Sequence, residues 1–148
     1  MKQILLSTLV ILTVTVVFAQ NKDRDSVKSV LKQYYTAIEK LNAAGTTTLF
    51  TADSKIFESG GYEGTYARYL DHHLGPELKE FKSFQFSDYK ADVQHEGNYA
   101  FATETYVYTI VLAKDNAEIK RKGVATIVLK KIKDQWKIMI LHSSSRKG

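Results

Sequence analysis

Cysteine is absent from the 148 residues. Disulfide staples, thiol chemistry and cysteine-ligated metal are thereby excluded, and stability has to come from packing. The four histidines contain no His-x-x-x-His pair. His72 and His73 are adjacent, so on a helix they point about 100° apart and cannot readily share one metal. The glycines at 60, 61 and 64 lack a following Lys-Ser/Thr, so no phosphate-cradling loop is present. A Ser-His-Asp order is missing too, and neither a metal nor a cofactor is expected. The basic residues form only small clusters at 120–122, 130–133 and 146–147. Two of these flank strand patterns, where lysines guard an edge or a solvated face, and a nucleic-acid binder would show a contiguous stripe. Internal repeats, low-complexity tracts and domain linkers are all lacking.

No apolar run reaches the roughly twenty residues of a membrane-spanning helix. The longest, Ile4 to Phe18, is interrupted by Ser7, Thr8, Thr13 and Thr15. With Lys2 before it and Val17-Phe18-Ala19 closing it, the run reads as a signal peptide, residues 1–19, cleaved after Ala19. No cysteine follows that site, so the mature N-terminus carries no lipid anchor. Loss of Lys2 takes the formal charge from +5 to +4. The mature domain, residues 20–148, is one unit large enough to bury about two-thirds of its unfolded surface. A cysteine-free exported chain suits a bacterial envelope: periplasmic or extracellular, with no membrane contact after cleavage.

Along the chain, Val27, Val30, Leu31, Tyr34, Ile38 and Leu41 recur with a 3.6-residue period, which predicts a helix from a cap at Asp25 or Ser26 to about Asn42. A short second helix is expected over 46–50 and a strand over 55–58. A third helix capped by Thr65 should end at Gly75-Pro76, leaving at most one more turn over 77–81. From Lys82 the period becomes 2. Phe84 and Phe86 alternate, then Tyr89, Ala91 and Val93 do so one residue out of phase, which predicts a bulge near Ser87-Asp88. Strands follow over 99–112, 118–130 and 136–144, joined by tight turns. The last places Trp136, Ile138, Ile140, His142 and Ser144 on one face. Three helices and one early strand followed by four consecutive strands predict an α+β domain, its helices packed on a strongly bent, largely antiparallel sheet.

The stretch from Ile56 to Leu74 concentrates the polar chemistry. Phe57 precedes Glu58 at a strand end, a glycine-broken turn with Tyr62 follows, and the next helix carries Tyr66, Tyr69 and His73 on one face. A carboxylate among aromatics is partly desolvated, which raises its pKa toward the range of a general acid or base. The same glutamate could instead accept bonds from the amides of Gly60 and Gly61 or pair with Arg68. His142 reads as a core histidine or as a group aimed at a cavity, and Arg146 as a mouth residue for an anion or a tail charge. Glu104, between Ala102 and Tyr106, either lines a cavity with Tyr106 or faces Arg121 or Lys122 across the neighbouring strand, the cross-strand pair being the blander choice.

Taken together, the paired Tyr34-Tyr35, Leu49-Phe50 with Asp53, Phe57-Glu58-Ser59-Gly60, the Gly64–Leu74 helix and the closing Trp136-Lys137-Ile138 with His142-Ser143-Ser144-Ser145-Arg146 resemble the nuclear transport factor 2-like superfamily over residues 25–146. That superfamily includes SnoaL-like cyclases and ketosteroid isomerases. The resemblance implies a cone-shaped curved sheet closed by three N-terminal helices (a cystatin-like α+β roll), an apolar cavity and a homodimer formed through the sheet. It also maps Glu58 onto the isomerase base and Tyr34 onto its tyrosine donor. The third isomerase position, an acid, falls near 126–128, where this chain has Ile127 and Val128. Tyr35, Phe57, Tyr62, Tyr66, Tyr69, His73, Tyr106, Trp136 and Arg146 are the expected pocket lining. Three functions are open on this scaffold: binding of a small apolar or carbonyl-containing molecule, proton transfer by Glu58 with Tyr34 and His142, or protein association.

Overall fold

The computed structural model describes residues 22–148. The cleavage site after Ala19 lies outside the described residues. Helix α1, residues 22–39, is already helical at Lys22. Ser26 is therefore inside it, with its hydroxyl bonded back to the Lys22 carbonyl at 2.8 Å, and is not the cap. Of the expected stripe, Val27, Leu31, Tyr34 and Ile38 are buried and Val30 and Leu41 partly so, and Tyr35, which is not in it, is buried as well. The helix ends earlier than its apolar period suggests. Leu41 takes φ +52°, its amide donates to Ile38 and the Asn42 amide donates to Ala37. That pair of bonds is a Schellman stop, here with leucine in the place glycine usually takes.

What reads as a second helix is a single 3-10 turn, Thr46–Leu49. The chain then extends into β1, Phe50–Glu58, five residues longer at its start than the sequence pattern suggests. Ser59 and Gly60 both have positive φ, and Glu58 pairs with Gly61. This two-residue hairpin turn produces a strand that the glycines concealed, β2, Gly61–Gly64. Thr65 caps the next helix as expected, accepting from the Arg68 amide.

That helix runs through Gly75-Pro76 instead of stopping. It is α over Tyr66–Tyr69 (α2), π over Leu70–Leu74 and α again over Gly75–Glu80 (α3). The wider π turn absorbs the strain that a proline places on the preceding helical turn. It also brings the Leu70 carbonyl onto Gly75, where a Cβ would overlap the oxygen. Glycine serves here for space, since its φ of −64° is ordinary helix.

Four strands complete the chain: β3 Phe81–Glu96, β4 Tyr99–Leu112, β5 Glu118–Ile132 and β6 Gln135–Lys147. The sheet order is β2-β1-β6-β5-β4-β3, antiparallel except where β1 runs parallel to β6. The result is an α+β domain with a curved, unclosed six-stranded sheet. A register shift between Ser87 and Lys90, with Asp88 at φ +52°, is the bulge read from the phase change. A second irregularity was not legible: Leu129 pairs with Ile138 but Val128 with Ile140, so Met139 is an extra residue. It reverses the alternation beyond it. Trp136, Ile138 and Leu141 are buried while His142 is exposed.

The core joins the α1 stripe to the inward sheet residues Ala100, Ala102, Ile127, Leu129 and Ile138, all essentially inaccessible. Phe50 stacks on Tyr66 at 3.6 Å between centroids. Asp23 anchors the start of α1 to the sheet, accepting from Lys131 Nζ at 2.7 Å and from the Trp136 indole at 3.2 Å. Among the described residues no helix is long and apolar enough to cross a membrane.

Candidate active site in the sheet cavity

The sheet and the helices line a partly open cavity of about 110 Å³. Each wall follows from a local feature. The α1 stripe supplies Tyr34, Tyr35 and Ile38; the continued helix supplies Tyr69, Leu74 and Glu77. β3 gives Phe81, Phe84 and Phe86 before its bulge, and β4 gives Tyr106, Tyr108 and Ile110. Leu141 and the serines 143–145 come from β6 beyond Met139, and Glu58 closes the end of β1. Tyr106 can lie across the floor because Gly123 sits opposite it, where any Cβ would meet its ring.

In this lining, Glu58 accepts a 2.7 Å bond from the Tyr69 hydroxyl. His73 lies 3.7 Å from Glu58, 3.4 Å from Glu63 and 3.3 Å from Glu77. Burial pushes the Glu77 carboxyl upward; His73 pulls it down and the neighbouring Glu58 pushes it further up. Among the described residues no histidine and acid group is disposed to hold a metal ion.

Glu104 is not part of the cavity lining; it is buried beside it, 2% exposed. Its two oxygens are divided between tyrosines, Oε2 accepting from Tyr35 and Oε1 from Tyr89. Burial pushes this carboxyl above the usual range, and the two hydroxyl bonds pull it partly back. The same burial holds the surrounding phenols protonated. Tyr34 and Tyr35 are raised well above the ordinary tyrosine value by desolvation, Tyr69 and Tyr106 likewise, and Tyr66 is pushed up to about 12. These hydroxyls are therefore donors throughout the working pH range.

The structure gathers Glu58, Tyr34, Tyr35, Tyr69 and Tyr106 in the cavity, so both members of the Tyr34-Tyr35 pair face it. It separates the others. His142 is on the opposite face of β6, in edge contact with Phe57 at 5.9 Å, because the extra Met139 shifts the phase. Phe57 and the 62%-exposed Tyr62 pack together on that outer side. Tyr66 is core, its hydroxyl bonded to Thr46. Trp136 is buried at the far end against Asp23, His73 stands at the rim, and Arg146 is exposed outside.

Glu104 corrects the sequence reading most plainly. It does not face Arg121 or Lys122. Its cross-strand neighbours are Ala125 and Ala91, small residues that leave room for the tyrosines. The alternation with Ala102 and Tyr106 was the signal for its inward side. Glu77 escapes a sequence reading in which Gly75-Pro76 ends the helix, although the i, i+4 spacing from His73 is present.

The SnoaL-like domain model matches residues 27–146. The chain belongs to the SnoaL-like family. Solved structures agree on the fold of this SnoaL-like chain. A nuclear transport factor 2-like superfamily protein from Salmonella enterica serovar Typhimurium superposes with a TM-score of 0.77 at 18% identity, covering 86% of this chain and 94% of that one. A candidate dehydratase of the same superfamily from Streptomyces avermitilis gives 0.75 at 18%, over 86% and 98%. A candidate ketosteroid isomerase from Shewanella frigidimarina gives 0.69 at 25%, over 80% and 94%. No curated protein matches the chain.

Proposed function

We propose that this SnoaL-like domain binds a small, mostly apolar molecule in the sheet cavity, with the molecule's polar group at the Glu58 end. The observation that carries this reading is the lining itself: rings and aliphatic side chains from every surrounding element, with two carboxylates, four serines and the tyrosine hydroxyls among them. Pockets of this composition hold a ligand by its apolar body and orient it by a few polar contacts. A cavity volume of about 110 Å³ suits roughly one ring, given that a dry cavity near 150 Å³ takes up benzene. Calorimetric titration with benzyl alcohol and with 2-cyclohexenone tests the proposal. Saturable one-to-one binding that is lost in Ser143→Phe, which fills the edge of the cavity, is the expected result. Absence of heat and of any thermal stabilisation with both compounds would overturn it.

A second reading is favoured by one contact. The Glu58 carboxylate faces the cavity with Tyr69 fixed on one oxygen, leaving the other free to take a proton from a bound carbonyl compound. Relatives of this fold are named as isomerases and dehydratases, so proton transfer by Glu58, with Tyr34 as a neighbouring donor, is consistent with the scaffold. Deuterium wash-in next to the carbonyl of cyclohexanone, followed by NMR and abolished by Glu58→Gln, is its test. Export belongs to the proposal as well, since residues 1–19 have the signal-peptide pattern; the mature protein should begin at Gln20 by mass spectrometry. Tyr99, Phe101 and Val124 are exposed on the outer sheet face. They offer a surface for a second copy of the chain, which sedimentation would detect as a dimer.

A further inference from the structure

The cavity has a sign. Eight of its lining residues are aromatic: Tyr34, Tyr35, Tyr69, Phe81, Phe84, Phe86, Tyr106 and Tyr108. Its two ionisable acids are Glu58 and Glu77, and no lysine, arginine or histidine is among the described lining residues. This is unexpected in a chain with 21 basic and 16 acidic residues. We infer that the ligand of this cavity is a small organic cation, a protonated amine on an apolar body, received by the aromatic walls and by Glu58 and Glu77.

The inference rests on the small-molecule reading above and narrows it by charge. Aromatic faces carry negative potential and attract an ammonium group, more strongly when water is excluded. Tyrosine hydroxyls held protonated keep those rings neutral. One oxygen of Glu58 is taken by Tyr69, and the carboxylate still has capacity for a second donor. Glu77 stands at the same end, within 3.3 Å of His73, which also approaches Glu58 and Glu63. Three carboxylates around one imidazole leave the mouth net negative whether or not that imidazole is protonated. A bound ammonium relieves the repulsion among them, whereas a carboxylate or phosphate ligand would add to it. The serine hydroxyls at 143 and 145 can accept from the ammonium and do not alter the preference.

Benzylamine, benzyl alcohol and benzoate have nearly the same size and differ in charge, so their relative affinities test the inference. Titrations with the purified protein near neutral pH should give benzylamine at least about tenfold tighter than benzyl alcohol, with benzoate the weakest. In Glu58→Gln and Glu77→Gln that preference should shrink several-fold. Alcohol binding equal to or tighter than amine binding, or benzoate binding tightest, would overturn the cationic assignment and leave the small-molecule reading standing. Failure of all three compounds to bind would remove both.

Discussion

Removing one of the two hydroxyls that donate to the buried Glu104 should cost stability in a pH-dependent way. In Tyr35→Phe the ring keeps its edge contacts with Phe86 at 4.7 Å and Tyr89 at 5.3 Å, so packing changes little. What is lost is the donor to Glu104 Oε2, on a carboxyl only 2% exposed. An unsatisfied buried acceptor costs about 1–3 kcal/mol, and for a domain of this size that lowers Tm by roughly 3–12 °C. The sign with pH follows from the carboxyl's raised pKa. Its folded value lies above its unfolded one because of burial, so the folded state holds the proton more tightly. The charged form is the costly one at pH above the folded pKa, and the cost is relieved as pH falls toward the unfolded value, about 4.3. Tyr35→Phe deprives the charged form of a donor. Its Tm deficit against the wild type should be largest near pH 8 and smaller near pH 5, as read by thermal denaturation across buffers. A deficit under about 1 °C at the higher pH, or one unchanged between the two, would refute the reasoning.

Three further outcomes are expected. Gly75→Ala should lower stability by about 1–3 kcal/mol through overlap with the Leu70 carbonyl; helix propensity alone would favour alanine by up to about 1 kcal/mol, so a more stable variant would contradict the π-turn account. The Asp23 carboxyl is held below its ordinary value chiefly by the bond from Lys131, so it contributes stability above the unfolded pKa that is lost as pH falls through the folded one. Asp23→Asn should therefore narrow the Tm difference from the wild type in acid, and an unchanged difference would count against the anchor. Ile138→Ala, at a fully buried position, should cost about 2–5 kcal/mol by chemical denaturation.

Most of the fold was legible because periodicity reports which face of an element is buried. The inward stripe of α1, the cap at Thr65, the bulge at Asp88 and the hairpin turns all have local causes written in adjacent residues. Three features did not. The π turn is a compromise between Pro76 and the pull of a continuous helix, and local rules read a Gly-Pro pair as a stop. β2 exists only because β1 offers it an edge; its own residues, Gly-Tyr-Glu-Gly, have little strand preference. The extra residue at Met139 leaves no mark on the sequence, since Ile138, Met139 and Ile140 are all apolar and either phase looks acceptable.

That last feature decided the site. It turned His142 outward and brought Ser143 and Ser145 to the cavity edge. The first-strand acid and the α1 tyrosines were legible, because an acid at a strand end beside aromatics is unusual wherever the strand lies. The inward placement of Glu104 depended on which neighbours would answer a buried carboxyl, and those neighbours, Tyr35 and Tyr89, are 69 and 15 residues away in sequence.

The claim that the cavity takes up a small molecule is tested most directly by methyl NMR during titration with benzyl alcohol. Saturable shifts confined to Ile38, Leu74, Ile110 and Leu141, the aliphatic residues that line the cavity, are expected. Core methyls such as Leu129 and Ile138 should move little. Shifts centred instead on the exposed Val124 and Ile132, or no shifts at saturating ligand, would contradict the account.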